Sequence, residues 1–520
     1  MGGQPLFILS EDSERTSGED AQSANITAGK AVSETVRTTL GPRGMDKMLV
    51  SDSGDVVITN DGATILDEMD IEHPAAQMLT EVAEAQEEEV GDGTTTAAVL
   101  AGELLSKAEG LLDDDVHPTT IVEGYHEAAA LAHEAIDESV LDEDLDEERL
   151  EQVAESSMTG KGTGDVNAGD LAETVVQAVE QVRSEAGVDR DNIAIQTQTG
   201  GSSSATELVE GVIVDQDPAH ENMPRRVEDA DIAIVTEDFE VRETNIDAEY
   251  DVSSVDQLNA AIESETEELR EFAEAVADSG ADVVFTEGEI DSRVKTDLAE
   301  RGVLAFNDLD KDESQAVGSA TGSSRSGSVD TLEAADLGHA ETVRVEKFGD
   351  DEEMAFVEGG AAAESVTILA RGGTEHVVDE LERALNDALD VVTAALDAGG
   401  VVPGAGSTEI VIADHIREEA AGIEGRQQLA VEAFADAVDV LPRTIAENTG
   451  LDPIDALVDL RAANESGERA GIIAEGENGS IEEPVEHGVL DPAAVKNEAI
   501  ESATEAGTMI VRIDDVISAE

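Results

Sequence analysis

The chain has 520 residues, and its 122 acidic against 30 basic side chains give a formal net charge of −92. So negative a chain is not expected to bind nucleic acid non-specifically, and no apolar run approaches the ~18 residues that cross a bilayer, so no membrane segment is predicted. Because there is no Cys, disulfides and thiolate metal sites are excluded, and a reducing cytoplasm is the expected location.

The extreme charge has three explanations: intrinsic disorder, a docking surface for basic partners, or adaptation to molar salt. Apolar residues recur at helical or strand spacing over most of the chain, which disorder does not predict. The acids are spread through every segment, whereas a tail for basic partners would form one block. Molar salt shortens the screening length to about 3 Å and so suppresses self-repulsion. We therefore predict a halophilic protein that loses structure or assembly in low salt.

The N-terminal region begins with a short apolar run at 6–9, which is expected to form an edge strand. A helical pattern covers 20–40. Two strands at 47–51 and 55–59 follow as a hairpin. Asp61 then stands in an Asn-Asp-Gly turn before a helix, where it is either a metal or water ligand or, more commonly, part of a plain turn.

The most informative stretch is Gly91 to Gly93, in which two glycines bracket one acid and three threonines follow. The flanking segments 73–89 and 96–112 have apolar residues at helical spacing, so the motif is a turn between two helices. Glycine allows a tight turn and close ligand approach, and free amides at a helix start attract anions. A bare carboxylate would repel phosphate, so Asp92 indicates a bridging magnesium ion. The alternative is an ordinary turn whose Asp or Thr caps the helix.

The middle of the chain alternates short β-branched runs with helical segments, which predicts an inserted α/β domain. A very acidic helical stretch covers 245–276, and the Gly/Ser-rich segment 316–329 is expected to be a loop. Upstream, Lys161 stands in a small-residue turn, where it is either a phosphate ligand or an ordinary exposed lysine. The predicted strands are 193–197, 211–215, 232–235, 283–286 and 303–306.

Towards the C-terminus, a small-residue hinge is predicted at 359–363 and a long helix at 374–398. Asp387 falls outside the apolar stripe of that helix, and by itself it is best interpreted as a surface acid four residues after Arg383. A final strand is expected at 508–513. Both ends of the chain are helical, which predicts one discontinuous domain built from the two ends.

Several motifs follow one another in a fixed order through essentially the whole chain. They are Thr39 to Lys47 (TLGPRGMDK), Thr59 to Thr64 (TNDGAT), Gly91 to Thr96 (GDGTTT), Met158 to Lys161 (MTGK), Glu382-Arg383 with Asp387-Ala388, Val402 to Gly404 (VPG), and Ser502 to Ala506 (SATEA) with Arg512 to Asp515 (RIDD). Together they resemble the motifs of the group II chaperonins, the family of the archaeal thermosome.

The resemblance implies a multidomain chaperonin fold: a mainly α-helical equatorial domain, a small α/β intermediate domain, and an α/β apical domain with a helical lid protrusion. The implied bounds are 1–150 and 401–520 for the equatorial domain, 151–213 and 361–400 for the intermediate domain, 214–360 for the apical domain, and about 245–276 for the lid.

The resemblance also implies an ATP-dependent molecular chaperone of the cytoplasm, a subunit of two stacked rings that enclose unfolded proteins and couple ATP hydrolysis to lid closure. Its partners would be identical or paralogous chaperonin subunits and unfolded clients, and its ligands ATP and Mg²⁺. Asp61 and Asp387 would position and activate the attacking water, and Asp92 would ligate magnesium. Lys161 would sense the γ-phosphate, while Gly406 and Asp491 match positions near adenine and ribose. The nucleotide-binding residues would be Gly41, Pro42, Gly93, Thr94, Thr95, Thr96, Lys161, Gly406 and Asp491.

Three departures from the family pattern bear on this expectation. Ala405 replaces the middle glycine of a triplet and adds a methyl group near the nucleotide, 307–310 carries two acids where basic residues are usual, and the chain stops soon after Val516, without the Gly/Met-rich tail of many members. Ala405 and the missing tail motivate a second interpretation, a structural ring subunit of a mixed chaperonin with weak or no ATPase activity. A third, a small-molecule kinase with the same phosphate loop, would need a polar substrate pocket and no large assembly.

Overall fold

The computed structural model describes residues 14–51, 54, 56–142, 145–162, 166–184, 187–241, 255–348, 352–360, 365–397, 400–474 and 478–518. The helices are α1 (Glu19–Val36), α2 (Gly62–Asp67), α3 (Pro74–Val90), α4 (Thr94–Asp113), α5 (Pro118–Ser139), α6 (Glu147–Met158), α7 (Ala168–Val182), α8 (Val255–Ser279), α9 (Ser292–Arg301), α10 (Lys311–Thr321), α11 (Glu375–Asp397), α12 (Ser407–Ala420), α13 (Gln427–Val438), α14 (Val440–Asn448), α15 (Pro453–Glu465) and α16 (Ala493–Val511).

The strands are β1 (Glu14–Ser17), β2 (Lys47–Val50), β3 (Val56–Thr59), β4 (Arg183–Ser184), β5 (Gly187–Val188), β6 (Ile193–Thr199), β7 (Glu207–Val214), β8 (Arg226–Val235), β9 (Val283–Thr286), β10 (Leu304–Phe306), β11 (Arg325–Ser326), β12 (Gly338–Phe348), β13 (Glu352–Gly360), β14 (Val366–Gly372), β15 (Val401–Pro403), β16 (Gly471–Ile473), β17 (Ser480–Glu482), β18 (Leu490–Pro492) and β19 (Asp515–Ser518). The elements form two compact units: unit 1 comprises Met1–Val176 and Asp379–Glu520, and unit 2 comprises Gln177–Val378. The three-domain bounds given above stay a prediction.

Unit 1 is built from helices around α4, which packs against α1, α3, α13 and α16. Its core is rich in alanine, and small residues let the helices approach closely: a Cβ on Gly102 would lie 2.2 Å from the Ser33 side chain of α1. Two of the few aromatic side chains lie in this core. Tyr125 and Phe434 pack edge to face at 5.7 Å, and the Tyr125 hydroxyl donates to the Leu104 carbonyl at 2.8 Å.

The strands of unit 1 form short antiparallel pairs. The predicted hairpin is confirmed as β2 with β3, and β15 pairs with β18 so that Val402 lies opposite Asp491. The run at 6–9 lies outside the described residues, while β1 pairs with β19. The predicted strand at 508–513 is wrong. Its residues as far as Val511 end α16, because Thr508 and Ile510 are buried in a helix and packing overrides their preference for strands.

Unit 2 contains a mixed sheet in the order β10-β9-β8-β12-β13-β7-β14-β6, with β11 beside β8. The five predicted strands are confirmed. Strands β8, β9 and β10 are parallel, with α8 and α9 in the connections between them, and Phe285 stacks on Phe306 at 4.9 Å. The predicted loop at 316–329 is partly wrong, since α10 extends to Thr321 from a capping box formed by Asp310 and Glu313.

Two predicted features lie partly outside the described residues. Of the acidic helical stretch at 245–276, the part from Val255 belongs to α8. Of the hinge at 359–363, Gly359 and Gly360 belong to β13. Across the described residues, no helix combines the length and the apolar character needed to cross a bilayer.

Candidate functional site

A cavity of about 500 Å³ lies within unit 1. It is lined by loop and helix-end residues from both ends of the chain, which places segments more than 300 residues apart on one surface. Of the twelve predicted site residues, eleven line it: Gly41, Pro42, Asp61, Asp92, Gly93, Thr94, Thr95, Thr96, Lys161, Gly406 and Asp491. The twelfth, Asp387, forms an ion pair with one of these residues, Lys161.

The Gly91 to Gly93 turn joins α3 to α4 as predicted. Gly91 (φ 68°) and Gly93 (φ 84°) are both left-handed, a conformation that glycine adopts without strain. The Gln86 side-chain amide fixes the turn by donating to the Asp92 carbonyl at 2.7 Å. The N-cap residue Gly93 has no side chain that could cap α4, but the Asp92 carboxylate accepts from the Gly93 amide, so the alternative of a capping Asp is partly right. The next amides of this helix, at Thr94 to Thr96, are available to an anion.

Asp61 uses its two carboxylate oxygens differently. Oδ2 accepts from the Thr64 amide at 2.7 Å and caps α2, so the plain structural interpretation of this turn is confirmed. Oδ1 accepts from the Thr94 hydroxyl at 3.3 Å and therefore lies beside the first turn of α4. Gly62 permits this approach, because a Cβ there would lie 2.5 Å from the Thr95 hydroxyl. Capping α2 thus also holds the acid at the cavity.

Lys161 and Asp387 form a mostly buried ion pair, with side chains 18% and 14% exposed. The Lys161 turn is tied to the loop before α2, because the Asn60 side-chain amide donates to the Gly160 carbonyl at 2.6 Å. The interpretation of Asp387 as a surface acid paired with Arg383 is wrong. Arg383 instead pairs with Glu380 at 2.6 Å, and Asp387 points to a residue 226 positions earlier.

The carboxylates around Lys161 perturb one another. Burial raises the pKa of Asp387 to about 7; Lys161 opposes this shift, and the negative charges of Asp61 and Asp92 add to it. Burial would lower the pKa of Lys161, but Asp387 and Asp92 together hold it above its ordinary value. The result is a fixed cation beside a carboxyl group that exchanges its proton near neutral pH, as a general base requires.

A second group of polar residues lies at the β15 to α12 turn. Lys496 contacts both Asp491 and Glu409, and neither it nor Glu409 was found from the sequence. The only available signal was that Lys is rare in this chain. Apolar side chains complete the wall of the cavity and suit a flat aromatic base; they are Ile445, Ile472, Ile473 and Val489.

Ala405, the departure noted above, lies in the cavity wall with φ 58°. Replacing it by Gly is expected to stabilise the protein by about 0.5–1 kcal/mol, because relief of a left-handed Cβ is worth ~1–2 kcal/mol while glycine loses ~0.5–1 kcal/mol of backbone entropy. Nucleotide should also bind more tightly once the methyl group is removed. Denaturant unfolding and ADP titration in molar KCl measure both effects.

The matched control is Ala474→Gly, which removes a methyl group from the same wall at a residue without a positive φ. It should destabilise the protein, because it adds entropy to the unfolded chain and relieves no strain. A loss of stability in Ala405→Gly, or an equal gain in both variants, would contradict the prediction.

The donor set is compatible with magnesium. Among the described residues, no three His, Asp or Glu side chains converge as a complete metal site. Magnesium in phosphate-binding proteins needs only one or two carboxylates, since phosphate oxygens and water supply the remaining ligands. Asp92 lines the cavity directly before the open helix start, and its Oδ1 accepts from the Gly93 amide at 2.7 Å, which fixes its orientation.

Relatives match almost the entire chain. Thermosome subunit 3 of Haloferax volcanii is 65% identical over 519 residues, which are 99% of this chain and 99% of the relative. Thermosome subunit alpha of Halobacterium salinarum is 53% identical over 521 residues, 100% of this chain and 92% of the relative. Thermosome subunit beta of Methanothermobacter thermautotrophicus is 49% identical over 519 residues, 100% and 96%. The first two organisms are haloarchaea, which confirms the predicted halophilic character.

The TCP-1/cpn60 chaperonin family matches residues 32–520 of the chain. This range includes every predicted site residue, and the fold class predicted from the motifs is confirmed. The chain therefore belongs to the TCP-1/cpn60 chaperonin family, as a ring subunit of the thermosome type that acts as an ATP-dependent chaperone.

Proposed function

We propose that this subunit itself hydrolyses ATP with magnesium in the cavity of unit 1, and that hydrolysis drives the enclosure and folding of non-native proteins. The observation that carries the proposal is the buried pair of Lys161 and Asp387 beside Asp61, Asp92 and the start of α4. A carboxyl group whose pKa burial raises to about 7, beside a cation in a cavity, is the arrangement that supports a general base.

The phosphates would be bound at the start of α4. The amides of Thr94, Thr95 and Thr96 and the hydroxyls of Thr95 and Thr96 would supply donors, and the glycine on either side of Asp92 would let phosphate approach the main chain. Asp92 would hold magnesium, which neutralises charge on the phosphate oxygens when it is bound. Lys161, kept protonated by its carboxylate neighbours, would contact the terminal phosphate.

Water would be oriented by Asp61 and deprotonated by Asp387. Asp61 is held rigidly because it caps α2, so its Oδ1 can accept from a water without rearrangement. Asp387 would take the proton on its carboxylate, and Lys161 would stabilise the ionised form between turnovers. Phosphoryl transfer asks little more of a protein than such positioning and charge stabilisation.

The nucleoside would lie against the β15 to α12 turn. Gly41 and Gly406 are both left-handed and lie near Ile445 in the cavity wall, and adenine would pack against this apolar part of the wall. Asp491 would accept from the ribose hydroxyls. Since α11 carries Asp387 and its first residues belong to unit 2, motion of that unit would be transmitted to the base, which would couple hydrolysis to lid closure.

The assembly we propose is a cytoplasmic double ring of identical or paralogous subunits around unfolded clients. Haloferax volcanii has relatives of this chain named thermosome subunits 1, 2 and 3, which favours mixed rings. Light scattering in molar KCl tests the assembly, since a kinase would be a small particle near the 54.3 kDa of one chain. An intact large particle without ATPase activity would favour the structural-subunit alternative.

Asp92→Asn is expected to raise the magnesium concentration for half-maximal ATP hydrolysis at least about tenfold, because one anionic ligand is lost. ADP binding measured without magnesium should hold or tighten, since a negative charge near the phosphates is removed. Asp113→Asn, at the exposed far end of α4, is the control and should leave both unchanged. An unaltered magnesium requirement in Asp92→Asn would rule out the metal assignment.

A further inference from the structure

Lys496 is the centre of a buried charge cluster in the cavity wall. Its ammonium lies 2.6 Å from Glu409 Oε1 and 2.8 Å from Asp491 Oδ2. The lysine is 13% exposed and Glu409 is 5% exposed, whereas Asp491 is 27% exposed and lines the cavity. The three side chains therefore form a row, in which Lys496 lies between the buried Glu409 and Asp491, which lines the cavity.

The position of Lys496 is unfavourable for a cation unless the acids require it. It is the fourth residue of α16, where the partial positive charge of the helix start opposes an ammonium group. Glu409 is in the first turn of α12, where the same effect favours a carboxylate. Its Oε2 has no hydrogen-bond partner among the described residues, so its compensation comes through the lysine. The lysine thus stabilises the two carboxylates and does not stabilise the helix that carries it.

The backbone around Asp491 leaves its side chain little freedom. Asp491 lies opposite Val402 in the β15 and β18 pair, and a Cβ on Gly404 would lie 2.9 Å from Asp491 Oδ2. The ammonium of Lys496 binds that same oxygen. Oδ1 therefore remains for a ligand in the cavity, and it is an acceptor only, which suits two neighbouring hydroxyl donors. The lysine also reduces repulsion between this acid and the phosphates of a nucleotide.

We propose that Lys496, anchored by Glu409, is a positioning residue that holds Asp491 to read the ribose hydroxyls of the bound nucleotide. The proposal rests on the nucleotide site described under Proposed function. It assigns to the cluster the selection of ribonucleotides over deoxyribonucleotides, and it leaves the reaction at Asp387 untouched.

The test is equilibrium binding of ADP, 2′-deoxyADP and 3′-deoxyADP to the full-length protein in molar KCl. Wild type is expected to bind ADP about tenfold more tightly than either deoxy analogue, because each analogue lacks one hydroxyl group that donates a hydrogen bond to the charged Asp491 carboxylate. The variant is Lys496→Met with Glu409→Gln, which removes the cation together with the buried charge it compensates and so avoids an unpaired carboxylate. Its preference for ADP should fall to within about twofold.

Asp491→Asn should lose the same preference, and adding Lys496→Met together with Glu409→Gln to it should change the preference no further, because the residues act as one unit. Lys30→Met is the control, and it should keep the wild-type preference for ADP. This variant also loses an ion pair, the one between Lys30 and Glu109 at 2.8 Å, but Lys30 does not line the cavity. A purely structural lysine would lower the midpoint of unfolding and leave the ratio of affinities as in wild type, which would overturn the inference. Equal binding of the three ligands by wild type would also overturn it, while failure of wild type to bind ADP at all would overturn the proposed function as well.

Discussion

Asp387→Asn is expected to lower kcat for ATP hydrolysis at least about 100-fold in molar KCl, while ADP still binds. A positioned general base contributes roughly 10²–10⁴-fold, and an amide cannot accept the proton of water. The substitution preserves the volume of the side chain and a hydrogen-bond acceptor for Lys161, so the local packing of α11 should survive. Initial rates of phosphate release at saturating ATP and magnesium measure the effect.

Asp397→Asn provides the matched control for this variant. It makes the same change at the exposed C-terminal end of the same helix, and it should keep wild-type kcat. If Asp387→Asn hydrolyses ATP as fast as Asp397→Asn, the assignment of the base is wrong. If wild type is also inactive in an intact large particle, the structural-subunit alternative is favoured.

The pH profile provides an independent test of the same residue. Because burial raises the pKa of Asp387 to about 7, the carboxylate that accepts a proton is lost as the pH falls through neutrality. The value of kcat/KM, which reports on the free enzyme, should therefore fall about tenfold per pH unit below 7. The residual activity of Asp387→Asn should lack this limb, and a wild-type profile that is flat down to pH 5 would contradict the shifted pKa.

The same helix shows what could be predicted from the sequence. Periodicity gave the extent of α11 almost to the residue and correctly placed Asp387 outside the apolar stripe. It could not show that Lys161, 226 positions away, comes to meet that face. A helical pattern specifies which side is polar but not whether water or another chain segment covers it. Only the family motifs placed both residues in one site, and their roles stay predictions.

The errors in the prediction have physical causes too. The β-branched residues of 508–513 predict a strand, but burial in the helical core of unit 1 makes this segment, as far as Val511, the end of α16. The Gly and Ser content of 316–329 predicts a loop, but the part as far as Thr321 continues α10, whose start is stabilised by the capping box of Asp310 and Glu313 that the sequence contains. Glu409 and Lys496 are 87 residues apart, and no local pattern links them.

Lowering KCl from about 1 M to about 0.01 M is expected to dissociate the assembly and then unfold the subunit. The screening length rises from about 3 Å to about 30 Å over this range, so the repulsion of a net charge of −92 acts across the particle. The core has little reserve against it, because the alanines that dominate unit 1 each bury little apolar area and aromatic residues make up only 2% of the chain. Light scattering follows dissociation, and circular dichroism follows unfolding.

The control separates screening from the general strengthening of apolar burial by solutes. Trimethylamine oxide or sucrose in dilute buffer favours the folded state by exclusion from the protein surface but does not screen charge. If repulsion is the cause, neither solute should restore the large particle, while sodium chloride at the same ionic strength as potassium chloride should do so. Full assembly in dilute buffer, or rescue by sucrose to the level reached in KCl, would contradict the account of the acidic surface as an adaptation to screened charge.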